Sequence, residues 1–358
     1  MFNVLSKYTA QFYHSKERAA LEMQISDFSS DRTLAGKKVL DATPVFRNTL
    51  NKYLPLLKAG VDLTVGYGGN VPFDAGIITV LENSGIRTVE NGKSSETFDF
   101  ILDCAGANAN VAVRYGVSEL TRSGFYHYCE LGKKVFLADS SRIKIIETAI
   151  GTGDGFFRAM QKLGCGSLKG RNIMICGCGK VGSGVAMYCL EAGANVYAVD
   201  DWNNRRIPEE IHAVSRFDRE KIDSLLDSMY CLITATGIYG GLTETLDLNK
   251  LVKSEILIIN IGIEDEFAGL VPHERILNNN RPLNFILEEP TLLKFIDPTM
   301  ALHNAGMQVL FNDCGDEKFI LPSEKLNEYY LNIVRRDGII NRELDMLEKY
   351  NCKGWKNE

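Results

Sequence analysis

Along most of the chain, apolar residues gather in short continuous runs that alternate with stretches where they recur at helical spacing. Runs at 38–41, 61–65, 98–104 and 134–138 predict buried strands, and 48–58, 73–83 and 118–131 predict the helices between them. That βαβ order implies a parallel sheet with helices on both faces. Ahead of it, Leu5, Tyr8, Phe12, Ala19, Leu21 and Met23 lie on broken apolar faces, so residues 1–34 read as helices used for packing or for a dimer contact. A long helix is predicted over 147–163, and the turn-rich 166–170 after it marks a domain boundary. A second alternation then begins, with strands at 171–176, 195–200, 230–235 and 255–261 and a helix at 181–192. Beyond it, 297–310 reads as a loop running into a helix, 323–350 as charged amphipathic helices, and Asn278-Asn279-Asn280 as a turn.

The apolar run ending at Cys176 breaks into Gly177-Cys178-Gly179-Lys180-Val181-Gly182-Ser183-Gly184 before helical spacing resumes, and the next strand ends in Asp200. This is the spacing of a dinucleotide-binding turn. Gly177 permits the tight strand-to-helix turn, Gly179 lets backbone N–H groups approach a pyrophosphate, and Gly182 lets the helix lie close on the strand. Lys180 and Val181 fall in the first turn of that helix, at the positive end of its dipole. Asp200 is spaced to hold ribose hydroxyls, and with Asp201 it favours NAD over NADP, because a carboxylate repels a 2′-phosphate; Arg205 and Arg206 keep an NADP reading open. Ligands of open parallel sheets lie outside the carboxyl ends of the strands, so Thr236-Gly237 and Asn260-Ile261-Gly262 are expected to line the same cleft.

A chain of 358 residues is long enough for two domains, and its 45% hydrophobic and 24% charged residues are ordinary for a globular protein. The net charge of −6, without a long basic tract, argues against a nucleic-acid partner. No apolar stretch reaches membrane-spanning length and the N-terminus shows no apolar core with a cleavage site, so a cytoplasmic protein without a membrane partner is expected. The nine cysteines contain no CxxC pair and read as reduced, packed thiols; Cys176 and Cys178 read as close packing, and no metal is expected.

Taken in order, several segments resemble the S-adenosylhomocysteine hydrolase family. Val117-Ser118-Glu119-Leu120-Thr121-Arg122-Ser123-Gly124 is similar to that family's Ser-Glu-Glu-Thr-Thr-Thr-Gly segment, and Ala138-Asp139-Ser140-Ser141-Arg142-Ile143-Lys144 to its Asn-Asp-Ser-Val-Thr-Lys-Ser. Gly153 to Ala159 is similar to the helix that opens the family's NAD domain, and Gly177 to Gly184, Thr234 to Gly237 and Asn260 to Gly262 match its cofactor-side turns. The resemblance implies an α/β fold of two domains: a substrate-binding-like α/β domain at 1–150, a Rossmann-type, doubly wound NAD domain at 151–303, and C-terminal helices at 304–358 returning to the first. It also implies a homo-oligomer, dimer or tetramer, and an active site in which bound NAD⁺ oxidises a sugar hydroxyl, a thiolate is eliminated, water adds and the hydride returns. Against the family pattern, Pro44-Val45-Phe46 replaces His-Met-Thr, Cys104 and Ala105 interrupt an Asp-Asp-Gly-Gly turn, and Leu120, Ile143 and Ile263 stand at polar positions. The tail 349–355 has no clear match to the family's Lys and Tyr tail.

Among polar candidates, His303 aligns with a family histidine near the nicotinamide and is followed by Asn304, a candidate cofactor contact; capping of the following helix is the competing reading. Lys144, a one-residue slip from the family lysine, is the candidate base, flanked by Arg142, with Glu147 either orienting it or serving as the base for the adjacent C–H. A solvated helical face describes the same three residues without any chemistry. The combined expectation is NAD-dependent oxidation, alone or followed by elimination and re-reduction, of a small hydroxylated metabolite other than adenosylhomocysteine. Hydrolysis of a related thioether nucleoside and a non-catalytic NAD-binding role are the alternatives.

Overall fold

The computed structural model describes residues 1–203 and 207–350. Arg205, Arg206, Cys352 and most of the tail 349–355 lie outside the described residues. In chain order the elements are α1 (Phe2–Thr9), α2 (Ala19–Ser30), β1 (Lys38–Asp41), α3 (Leu50–Ala59), β2 (Asp62–Tyr67), α4 (Ala75–Asn83), β3 (Arg87–Glu90), β4 (Phe98–Asp103), β5 (Val113–Glu119), α5 (Arg122–Tyr128) and β6 (Val135–Leu137). After them come α6 (Thr152–Lys162), β7 (Asn172–Cys176), α7 (Lys180–Glu191), β8 (Asn195–Asp200), β9 (Ile211–Ser215), α8 (Arg219–Leu226), β10 (Cys231–Thr234), α9 (Leu248–Lys253) and β11 (Leu257–Asn260). The chain ends in α10 (Leu293–Asn312), β12 (Phe319–Ile320), α11 (Glu324–Asp337) and α12 (Asn341–Lys349).

Two compact units result, Met1–Lys144 with Leu292–Asn341 and Ile145–Thr291 with Arg342–Glu358. The return to the first unit thus falls at Leu292 rather than at 304, and the last helix belongs with the second unit. The first unit holds a seven-stranded sheet in the order β3-β2-β1-β4-β5-β6-β12, parallel throughout. Its central β4 is buried along its whole length, which is why its sequence reads as a continuous apolar run. The second unit holds a five-stranded parallel sheet in the order β9-β8-β7-β10-β11. Both are doubly wound: the strand order reverses between β1 and β4 in one and between β7 and β10 in the other, which is where such sheets bind ligands.

Three readings of the sequence change. The predicted helix at 118–131 begins as strand: Ser118 and Glu119 close β5, and α5 starts only after Thr121, whose Oγ1 accepts the Gly124 N–H at 3.1 Å. The loop expected from 297 is helical, with Pro298 inside α10. Proline's helix-breaking cost is outweighed because Leu293, Phe295, Met300, Leu302 and Met307 are buried on this helix, and Asp297 accepts the Ala20 and Leu21 N–H groups at 2.8 and 3.0 Å. Finally, β3, β5 and β9 escape apolar patterning because each has exposed or half-buried positions.

Candidate functional site

In the second unit the three glycines of the turn after β7 each meet a different constraint. Gly177 has φ +92°, and a Cβ there would stand 2.5 Å from the Thr236 nitrogen. A Cβ on Gly182 would lie 1.8 Å from the Gly177 oxygen, so α7 rests directly on the turn. Gly179 is unlike both: it has extended backbone and, among the described residues, nothing within 4 Å of its missing Cβ. Only there would a side chain project into open space, as a site shaped for an approaching ligand requires. Gly179 is also the N-cap of α7, whose first-turn N–H groups have no intrahelical acceptor and suit an anion.

Around this turn lies a cleft of about 270 Å³ lined by Gly177, Gly179, Asp200, Asp201, Arg216 and Thr236, among others. Asp200 accepts the Cys178 N–H at 2.6 Å, so the acid at the tip of β8 also fixes the glycine turn. Arg216 was not legible as a site residue because β9, which delivers it, was not; its N–H donates to the Asp200 carbonyl at 2.9 Å. At the carboxyl end of the sheet, Asn260 Oδ1 accepts the Gly262 N–H at 2.8 Å and the Thr234 hydroxyl at 3.2 Å, while its amide donates to the Asn280 carbonyl at 2.9 Å. Asn260 thereby shapes the turn after β11. Glu266, absent from the sequence reading, accepts the Gly237 N–H at 2.9 Å, and burial pushes its carboxyl up to about 7. Lys180 is exposed and Val181 half-buried.

The first unit carries a second cluster at the carboxyl ends of its central strands. Asp41, ending β1, is ion-paired with Lys52 of α3, and both side chains are fully buried. Burial lowers the Lys52 pKa while Asp41 opposes it. Asp103, ending β4, accepts from the Tyr128 hydroxyl at 2.5 Å and from the Asn108 N–H at 3.0 Å, and burial raises its pKa. Glu119, ending β5, accepts N–H groups of Ala105, Gly106 and Thr121 at 3.1, 3.2 and 2.8 Å; burial, then the Asp103 charge, pushes it to about 7. His303 lies inside α10 with Nε2 2.7 Å from the Ser118 carbonyl, so Nε2 carries the proton. Burial, reinforced by Lys52 and Lys144, drives the His303 pKa well down and keeps the ring neutral.

Lys144 is buried in this same unit, within electrostatic reach of His303. Arg142 is not part of that cluster: it is more than half exposed and ion-paired with Glu324, the surface reading for this residue. Glu147 sits in the second unit, on a π-helical turn at Ile146–Gly151. Asn304 is fully buried in the first unit, donating to Gln24 Oε1 at 2.9 Å and the Lys52 carbonyl at 3.1 Å, which fixes it within that unit's packing. Lys52, Asp41 and Asp103 were not singled out from sequence because nothing local marks a buried Lys on an amphipathic helix as paired.

No known family profile matches the chain, and no curated protein matches it either. Solved structures do. A dipicolinate synthase chain from Bacillus halodurans is similar with a TM-score of 0.52 at 14% identity, covering 77% of this chain and 99% of that one. Its counterpart in dipicolinate synthase from Bacillus subtilis gives 0.45 at 11% identity over 78% and 99%. D-lactate dehydrogenase from Escherichia coli gives 0.38 at 12% identity over 87% and 97%. At 14% identity the likeness to the Bacillus halodurans chain is one of fold, and the fold is the two-unit, Rossmann-type α/β arrangement read from the sequence.

Proposed function

We propose that the chain is an NAD-dependent oxidoreductase acting on a small hydroxylated metabolite, by oxidation alone or by oxidation, elimination and re-reduction. The observation that carries this is the open space at Gly179 within a cleft at the β7/β10 switch point, beside a helix N-terminus and the Asp200 carboxylate. Gly177, Gly179 and Gly182 with the first turn of α7 at Lys180 and Val181 would hold the pyrophosphate, and Asp200 the ribose. Thr236, Gly237, Asn260 and Gly262 would shape the far side of the cleft. When bound, the nicotinamide supplies a hydride acceptor.

Proton handling is assigned to the first unit. Glu119 near neutrality and neutral His303 are groups whose protonation is set by burial, the property general acid–base chemistry needs, and Lys144 is buried in the same unit. The resemblance to adenosylhomocysteine hydrolases supports the same class of chemistry, with a different substrate. Leu120 and Cys104 pack with Val71 in an apolar cluster, and Ile143 is fully buried, so Leu120 and Ile143 put hydrocarbon where the family pattern has polar side chains. The test is to denature the purified protein, identify any released nucleotide, and titrate NAD calorimetrically into the nucleotide-free chain. Bound or titrating NAD, with no turnover of adenosylhomocysteine, is expected; a folded protein that takes up no NAD overturns the reading.

A further inference from the structure

Glu266 follows the turn after β11 and is 1% exposed. Its Oε1 accepts the Gly237 N–H at 2.9 Å, and a Cβ on Gly262 would stand 3.1 Å from that oxygen, so the carboxyl is wedged between the turns after β10 and β11. Its Oε2 is buried with no hydrogen-bond partner among the described residues. Among the described residues, the titratable groups shown to act on it are Glu264 on its own loop and Cys176 at the end of β7, and neither is a cation. A carboxylate so placed keeps a buried charge with a hydrogen-bond donor on only one of its oxygens, whereas a protonated acid carries no charge.

We propose that Glu266 is the positioning residue of the two cofactor-side turns and that it works as a neutral carboxylic acid, holding the Thr236–Gly237 and Gly262 turns together in the shape that accepts the dinucleotide. Ionised, it presses a buried negative charge between them, next to a ligand that itself carries two phosphates. This rests on the NAD reading above. Burial places its titration near 7, with the donors of Gly237 and Thr236 pulling the other way, so the switch falls at physiological pH. Linkage then makes affinity fall as pH rises through that value, by at most about tenfold per pH unit.

NAD is titrated calorimetrically into the full chain between about pH 6 and pH 9, in wild type and in Glu266→Gln, which keeps an acceptor for Gly237 and cannot ionise. In wild type the dissociation constant is expected to rise above about pH 7, and in Glu266→Gln to stay at its acid-side value. Glu264→Gln, which removes a neighbouring charge from an exposed side chain, should move the wild-type midpoint to lower pH and serves if Glu266→Gln does not fold. The same slope in wild type and Glu266→Gln overturns the proposal, as does weak binding by a folded Glu266→Gln at every pH. A wild type that binds no NAD at any pH overturns the cofactor reading instead; a melting-temperature gap between wild type and Glu266→Gln that changes across neutral pH then still reports the turn-holding role, and a constant gap refutes it.

Discussion

Gly179→Ala and Gly182→Ala should separate binding from folding within one motif. At Gly182 the new methyl would lie 1.8 Å from the Gly177 oxygen, where an ordinary C···O contact is about 3.3 Å, so α7 would have to lift by roughly 1.5 Å. The other side of the helix leaves no room for that: a Cβ at Gly184 would already meet the Ala149 oxygen at 2.3 Å, and one at Gly153 would meet Tyr188 at 2.5 Å. Overpacking of this kind costs about 1–3 kcal/mol or more. For a unit of this size each kcal/mol moves the melting temperature by roughly 2–4 °C, so Gly182→Ala should melt up to about 12 °C lower. Gly179→Ala meets nothing within 4 Å and has φ −73°, so its melting temperature should hold or rise slightly while NAD affinity falls at least about tenfold. Differential scanning calorimetry and NAD titration on both variants decide it. Wild-type melting of Gly182→Ala, or wild-type binding by a folded Gly179→Ala, would refute the reasoning.

Asp200→Ala should weaken NAD binding and cost about 1–3 kcal/mol in urea unfolding, because the Cys178 N–H loses its acceptor; Asp200→Asn should recover most of the stability but not the affinity. Lys52→Met leaves Asp41 buried without its cation and should lower unfolding stability by about 3–5 kcal/mol, with Asp41→Asn in the same chain restoring part of it; an additive double mutant would show the pair is not coupled. Asp297, Glu119 and Glu266 all titrate near 7 in the fold, against ordinary values of 3.8 and 4.5. A raised folded pKa means the folded chain binds the proton more tightly, so this stability is complete below the ordinary carboxylate range and is lost as pH rises through 7. The melting temperature should be lower at about pH 8 than at about pH 6, and the opposite order would falsify the assignment of these acids as buried and neutral.

The amino-acid sequence determined the elements whose signal is local. β7, α7 and β8 lie within a residue or so of where the apolar run, the glycines and Asp200 place them, because a doubly buried parallel strand is continuously apolar and a tight βα turn admits only glycine at Gly177. For the same reason the residues proposed for the cofactor side could be picked out one by one. Tertiary structure decided what depends on partners far along the chain. α10 runs through Pro298 because Asp297 finds the start of α2 and the helix buries its apolar face, and Gly306 lets it approach Ser118 and Phe136 more closely than any side chain would permit. β5 and β9 become strands by pairing with β4 and β8 despite their polar positions, and β9 is what brings Arg216 to the cleft. Lys52 and Glu266 look in sequence like charges on a solvated surface. Only folding removes their water, and it is that desolvation, not their identity or spacing, that makes one a buried ion-pair partner and the other an acid poised at neutral pH.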